Sequence, residues 1–349
     1  GNIEVHDGRI GTVKAVNGDI SGNIRAAGDV SNVMADGGNI TAPIESTDGR
    51  INRVVAEARP GSDGWTGGSV QGDIIASSDI GRVLAHRGDG IDSRIDASGN
   101  IRQIKAIGGS IDGDIEAGGS IHSVTALARN IPATVQPAPA QDGGIHLAGG
   151  SVRADMTASA GIGRVLAVRG DGIDSAIRAE NGHVGQVRAV RGNIAGSIMA
   201  DGPIFGVVAH GGDMEADLQT VAGTGGRINR VVARSASSGG TVRGSIKSSG
   251  TIGSVLAVRG DVDLRNEQIT AHGSIGSIQA VHGSIVGDRD EATKEIGVSG
   301  GNLGHLRAIR GDIDGVAVDV TASQHGGGGG IGRIGAVRSA AGITDSLFE

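Results

Sequence analysis

The sequence predicts an all-β fold: a right-handed parallel β-solenoid of about fourteen coils, each of about 20 residues, with loop insertions at the corners. Three observations predict it. A ten-residue pattern built on Gly-x-Ile recurs along the whole chain. Of 349 residues, 66 are Gly and only Trp65, Phe205 and Phe348 are aromatic. The remaining apolar content is almost entirely Ile, Val and Ala, which suits a long narrow core and not a wide one.

The first type of unit reads G-x-I/V-x-x-V/I-x-A-x-x, as in GRIGTVKAVN (Gly8–Asn17), GNIRQIKAIG (Gly99–Gly108) and GHVGQVRAVR (Gly182–Arg191). Its apolar residues are three apart, as in Ile10 and Val13, so a bend near Gly11–Thr12 is needed to bring both inside. Gly81, Gly163, Gly253 and Gly276 stand at that bend in other units. The second type, G-x-I-x-G-x-I-x-A-x, alternates strictly. In GDISGNIRAA (Gly18–Ala27), Ile20, Gly22, Ile24 and Ala26 face one way and Asp19, Ser21, Asn23 and Arg25 the other, which predicts a single half-buried strand. Helix is the poor alternative, because each recurring Gly costs a helix about 1 kcal/mol.

Two units make one coil, and stacked coils bury together what ten residues cannot bury alone. The pattern predicts one continuous solenoid over 1–349. Insertions interrupt it near 57–67, 128–148, 213–225, 234–239, 263–272, 286–300 and 316–330. GRINRVVA occurs at Gly49–Ala56 and again at Gly226–Ala233, the mark of growth by duplication of several coils.

Composition excludes several classes. Gly does not fall at every third residue, so the chain is not collagen. A net charge of −7 with 38% apolar residues is not a disordered composition. No apolar run approaches the ~18 residues of a membrane span. Scattered Lys and Arg give no basic footprint, so nucleic acid is not an expected partner. Disulfides are excluded by the absence of Cys. The chain starts at Gly1 with neither Met nor a signal-like segment, which reads as a processed form or an excerpt of something longer.

With these units in view, the chain resembles the parallel β-helices of bacterial surface proteins, namely filamentous haemagglutinins and autotransporter passengers, and more distantly bactofilin-type polymers. The resemblance covers essentially the whole chain and is architectural. It implies a scaffold, stalk, filament or adhesin at the cell surface or outside the cell, and it carries over no catalytic residue.

No P-loop, GxSxG, HExxH or CxxC occurs, and neither a catalytic nor a cofactor-binding residue is expected. A β-helix enzyme acting on polysaccharide is the least favoured reading, because sugar-stacking aromatics are nearly absent; Trp65 is the one loop aromatic available for a contact. RGD occurs at Arg87–Asp89, Arg169–Asp171, Arg259–Asp261 and Arg310–Asp312. An adhesive turn built on Arg87, Asp89, Arg169, Asp171, Arg259, Asp261, Arg310 and Asp312 is weighed against a plainer reading. In the latter, Arg closes one unit, Gly opens the next and Asp follows at an outward turn. Calcium at the turn aspartates (Asp19, Asp29, Asp89, Asp171, Asp213, Asp261, Asp312) is the one cofactor reading. It is disfavoured because the calcium-binding nonapeptide is not matched and Arg stands two residues from many of them. GDRDEATKE (Gly287–Glu295) is the best local exception. His86, His210 and His282 fall near one corner in separate coils and are not expected to share a metal.

Both ends stand in mid-pattern without a cap. Gly1–Asp7 and Gly342–Glu349 read as shortened second-type units, and head-to-tail contact between copies, or with the rest of a longer solenoid, is expected there. Gly1, Asn2, Ile3, Val5, Ile343, Leu347 and Phe348 are the candidate junction residues. The leading expectation is an extracellular structural solenoid; an adhesin presenting corner loops is the alternative.

Overall fold

The computed structural model of the chain describes residues 1–61, 64–128, 150–221, 225–235, 239–288, 294–321, 329–337, 342–344 and 346–348, without the side chains of 61 and 64–66. The described residues are all-β, with no helix. They form two compact units, Gly1–Ser175 and Ala176–Glu349.

In the first unit, seven-residue strands from first-type units stack in parallel from Ile10–Val16 through Val30–Asp36, Ile51–Glu57, Ile80–His86, Ile101–Ile107 and Ile121–Leu127 to Ile162–Val168. A second column of three-residue strands runs from Ile3–Val5 to Met156–Ala158. A third column, of single bridges and two-residue strands, links Ile20, Ile40, Val70 and Ile91, then Ile111, Val152 and Ile173. The second unit repeats this plan. Its long strands run from Val184–Val190 through Ile204–His210 and Ile228–Arg234 to Ile331–Ala336, and its short strands from Asn193–Ala200 to Leu347–Phe348.

Register follows from like packing on like. Ile80 pairs with Ile101, Val83 with Ile104 and Ala85 with Ala106, and all six are at most 1% exposed. Each buried Ile or Val contributes roughly 1.5–3 kcal/mol relative to an exposed one. The bend expected in the long strand is present: pairing runs from Ile80–Ile101 directly to Arg82–Gln103, and Ile80 and Val83 both face inward.

The second-type unit departs from the expected single flat strand. In most coils it breaks at its centre, as at Gly22 (φ 92°), where it divides into a bridge at Ile20 and a strand at Ile24–Ala26; Ala42 and Ser93 take the same place in other coils. Gly here serves to turn a corner, which a period-two pattern cannot distinguish from alternation. Each coil therefore has three sides. In Gly172–Ala179 and Asn193–Ala200 the assigned strand does run through the unit.

The insertions are narrower than the sequence implies. Residues 213–221 form a regular second-type unit, with Met214 bridged to Ile194 and Leu218 paired with Ile198. Met, Leu and Thr replace Ile and Ala there and hide the repeat. Strands Ile269–Ala271, Ile296–Val298 and Ala317–Val320 likewise lie inside stretches read as loops. The stretch 57–67 contains an antiparallel hairpin, Arg59–Gly61 with Gly64–Thr66. Nearly all of 128–148, and the centre of 234–239, fall outside the described residues.

Candidate functional site

The corners account for the Gly of the four RGD strings and, at two of them, for the Arg. Arg87 and Arg169 have φ values of 70° and 64°, at the position where other coils place Gly37 and Gly108. The next residue has no room for a side chain: a Cβ on Gly88 would lie 2.4 Å from Ser69 Oγ, and one on Gly170 would lie 2.5 Å from Ser151 Oγ. The Asp then joins a ladder along the stack. The Asp89 N–H donates to Ser69 Oγ (2.8 Å) and the Asp171 N–H to Ser151 Oγ (2.8 Å). Asp261 Oδ1 accepts the Ser284 N–H (2.7 Å), and Asp312 Oδ1 accepts the Gly342 N–H (3.0 Å).

The same ladder runs at all three corners. At the entry to the long strand, Asp29 Oδ1 accepts from Arg50 (3.0 Å), Asp79 from Asn100 (2.7 Å) and Asn100 from Ser120 (2.9 Å). At the short strand, Asn2 accepts from Asn23 (3.0 Å) and Asp217 from Ser245 (2.9 Å). At the third corner, Asp19 accepts from Asn39 (2.7 Å) and Asp213 from Gly240 and Thr241 (2.6 and 2.8 Å). Where the residue between Gly and Ile in G-x-I is Asp, Asn or Ser, as at these positions, its side chain takes up a backbone N–H one coil on, each bond worth about 1 kcal/mol. These oxygens face amides. Among the described residues no group of His, Asp and Glu is placed to hold a metal ion. Glu295, the end of the acidic stretch, is 3% exposed, and its two carboxylate oxygens accept the N–H groups of Asp288 and Ala317.

The candidate junction residues lie on the end strands. Ile3–Val5 pairs on one side with Ile24–Ala26, Ile343 pairs with Ile313, and Leu347 and Phe348 pair with Ala317 and Val318. Ile3, Ile343 and Leu347 are 37%, 44% and 39% exposed, whereas Ile24 and Ile313 in the same columns are 2% and 0%. Gly1 packs its carbonyl close to Gly22. Trp65 lies on the hairpin strand opposite Pro60, and its side chain falls outside the described residues. His210 and His282 line the same corner hollow with Arg191, Arg234 and Arg259.

The mildly negative net charge of the chain conceals an asymmetry between its faces. The outward positions of the long strands are cationic. In the second unit the long strands carry Arg188, His210, Arg230, Arg234, His305, Arg307 and Arg333 and not one Asp or Glu. In the first unit they carry Lys14, Arg53, Arg82, Arg102, Lys105 and Arg164 against Asp36 and Glu57. Arg53 and Arg82 stand opposite each other on adjacent rungs, and the Nε of each is buried without a hydrogen-bond partner. The short strands of the first unit carry Glu4, Glu45, Asp96 and Glu116 against Arg25. Counting charges over the whole chain gives a mild negative total, whereas counting along one column shows the segregation.

No helix among the described residues is long and apolar enough to cross a membrane. No protein-family model, curated protein or solved structure matches the chain.

Proposed function

We propose that this chain is a structural β-solenoid of an extracellular filament, stalk or surface scaffold, lengthened by parallel strand addition at its end coils. The observation that carries this reading is the opening of the core at the end strands. Ile3, Ile343 and Leu347 are more than a third exposed in columns that are otherwise closed. Among the described residues each also belongs to a strand paired on one side, whose other edge is a template for another strand of the same kind. The next coil there is either more of the same solenoid or the facing end of a second copy. Uniform rungs, Ile/Val/Ala columns and corner ladders give length and stiffness along such an assembly.

Electron microscopy and sedimentation of the purified chain over a range of concentrations test the proposal. Concentration-dependent end-to-end rods, lost in an Ile343→Asp/Leu347→Asp variant, are expected. Strictly monomeric particles at high concentration would exclude self-addition.

A further inference from the structure

The long strands of the second unit carry a charge arrangement that stacking alone does not explain. Gln186, Gly206 and Arg230 occupy one outward column on three successive long strands, and Arg188, Val208 and Val232 the next. His210 stands directly opposite Arg234 on the adjacent rung. Rungs are about 4.8 Å apart, so four cationic or protonatable groups sit within three rungs. Like charges opposite one another in a sheet are destabilising, and nothing in the packing of the coil requires them.

These groups surround a hollow lined by Arg188, Phe205, His210, Arg230 and Arg234 above an apolar floor that includes Val208 and Val232. Gly206 leaves it open, since a Cβ there would meet nothing within 4 Å. No carboxylate lines it among the described residues. At its edge Phe205 is 38% exposed, with the Arg227 guanidinium 5.8 Å from its ring centroid. Guanidinium groups lining a partly apolar hollow are the usual complement of a tetrahedral oxyanion, which accepts from several N–H donors at once.

We infer that the hollow over Gly206, walled by Arg188, His210, Arg230 and Arg234, is a binding site for an oxyanion group, sulfate or phosphate. Two observations stand beside the geometry. Burial, and then the charges of Arg188, Arg234 and Arg230, hold the His210 imidazole below its ordinary value. In the first unit, Arg53 and Arg82 stand opposite each other at the strand position that Arg230 holds in the second, and the Nε of each is buried without a partner among the described residues. The inference is independent of how the chain assembles.

The test is an NMR titration of His210 in the full chain, in chloride and in sodium sulfate at matched ionic strength. A bound oxyanion stabilises the imidazolium, so sulfate is expected to raise the His210 midpoint by about half a pH unit, threefold in proton affinity. Arg230→Gln/Arg234→Gln should abolish the sulfate-dependent rise, while Lys247→Gln, on the short-strand side of the same unit, should leave it. Dextran sulfate at equal sulfate-group concentration distinguishes the source. Saturation at a tenfold or more lower concentration marks a group borne on a chain, and saturation at equal concentration marks the free ion. No difference between chloride and either sulfate would overturn the site, as would a rise that persists in the double Arg variant.

Discussion

Asp79 Oδ1 accepts the backbone N–H of Asn100 at 2.7 Å, and Asn100 Oδ1 accepts the N–H of Ser120 at 2.9 Å. Three successive coils are joined at one corner by side chains that substitute for the backbone partner that a strand would have supplied.

Asp79→Ala should therefore destabilise the chain by about 1–2 kcal/mol, because it leaves the Asn100 N–H without its acceptor. Asp79→Asn keeps an acceptor and should recover most of that loss. Urea unfolding of both variants checks it; equal losses would mean that the corner bond is idle.

The Asn100 hydrogen bonds hold the Asp79 carboxyl below its ordinary value of 3.8, and the Arg265 and Arg243 hydrogen bonds do the same for Asp263. Both groups favour the folded state when ionised. Their stabilisation is complete above pH ~4 and is lost as pH falls through the depressed folded values. Unfolding midpoints between pH 5 and pH 2 should fall, and Asp79→Asn/Asp263→Asn should flatten the profile.

Asp263 is 4% exposed, and its Oδ2 accepts from Arg243 (3.1 Å) and Arg265 (2.7 Å). Replacing either arginine with Ala leaves one guanidinium in place and should cost about 1 kcal/mol. Replacing both strands a buried carboxylate and should cost about 3–5 kcal/mol, more than the two single losses together. Simple additivity in a double-mutant cycle would contradict the shared role.

Two glycines should respond oppositely to Ala. A Cβ on Gly72 would lie 2.0 Å from the Ala42 carbonyl oxygen, so Gly72→Ala should force adjacent coils apart and cost several kcal/mol, on the order of other severe overpacking. Gly11, in the strand Ile10–Val16, meets nothing within 4 Å, and Gly11→Ala should be neutral or stabilising by up to about 1 kcal/mol. Thermal unfolding of the pair measures the contrast.

Amide exchange should be slowest in long strands with neighbours on both sides, such as Ile80–His86, and fastest in Ile3–Val5, paired on one side. Equal protection would show that the end strand acquires a second partner in solution.

The repeat made the fold legible because Ile must stack on Ile: the inward column from Ile51 to Ile80 to Ile101 could be written down from spacing alone. The corner at Gly22 was not legible, since alternation across a bend and along a strand gives the same letters. Met214 and Leu218 concealed a regular unit by replacing Ile with residues of similar volume. Both the role of x in G-x-I and the cationic long-strand face depend on which residues share a column. Arg188, His210 and Arg234 are far apart in a linear reading and become neighbours only once the register is fixed.

The corner ladders also give the stack a sense of direction. In each of the bonds described along them, the earlier coil contributes the side-chain oxygen and the later coil the N–H. Divide such a stack at these corners and the two cut sides differ: one keeps side-chain oxygens, the other the amides they had held. Opposite sides can remake these corner bonds, whereas two of the same kind would leave them unmade. An assembly made this way is a one-way street, with every coil pointing as its predecessor does.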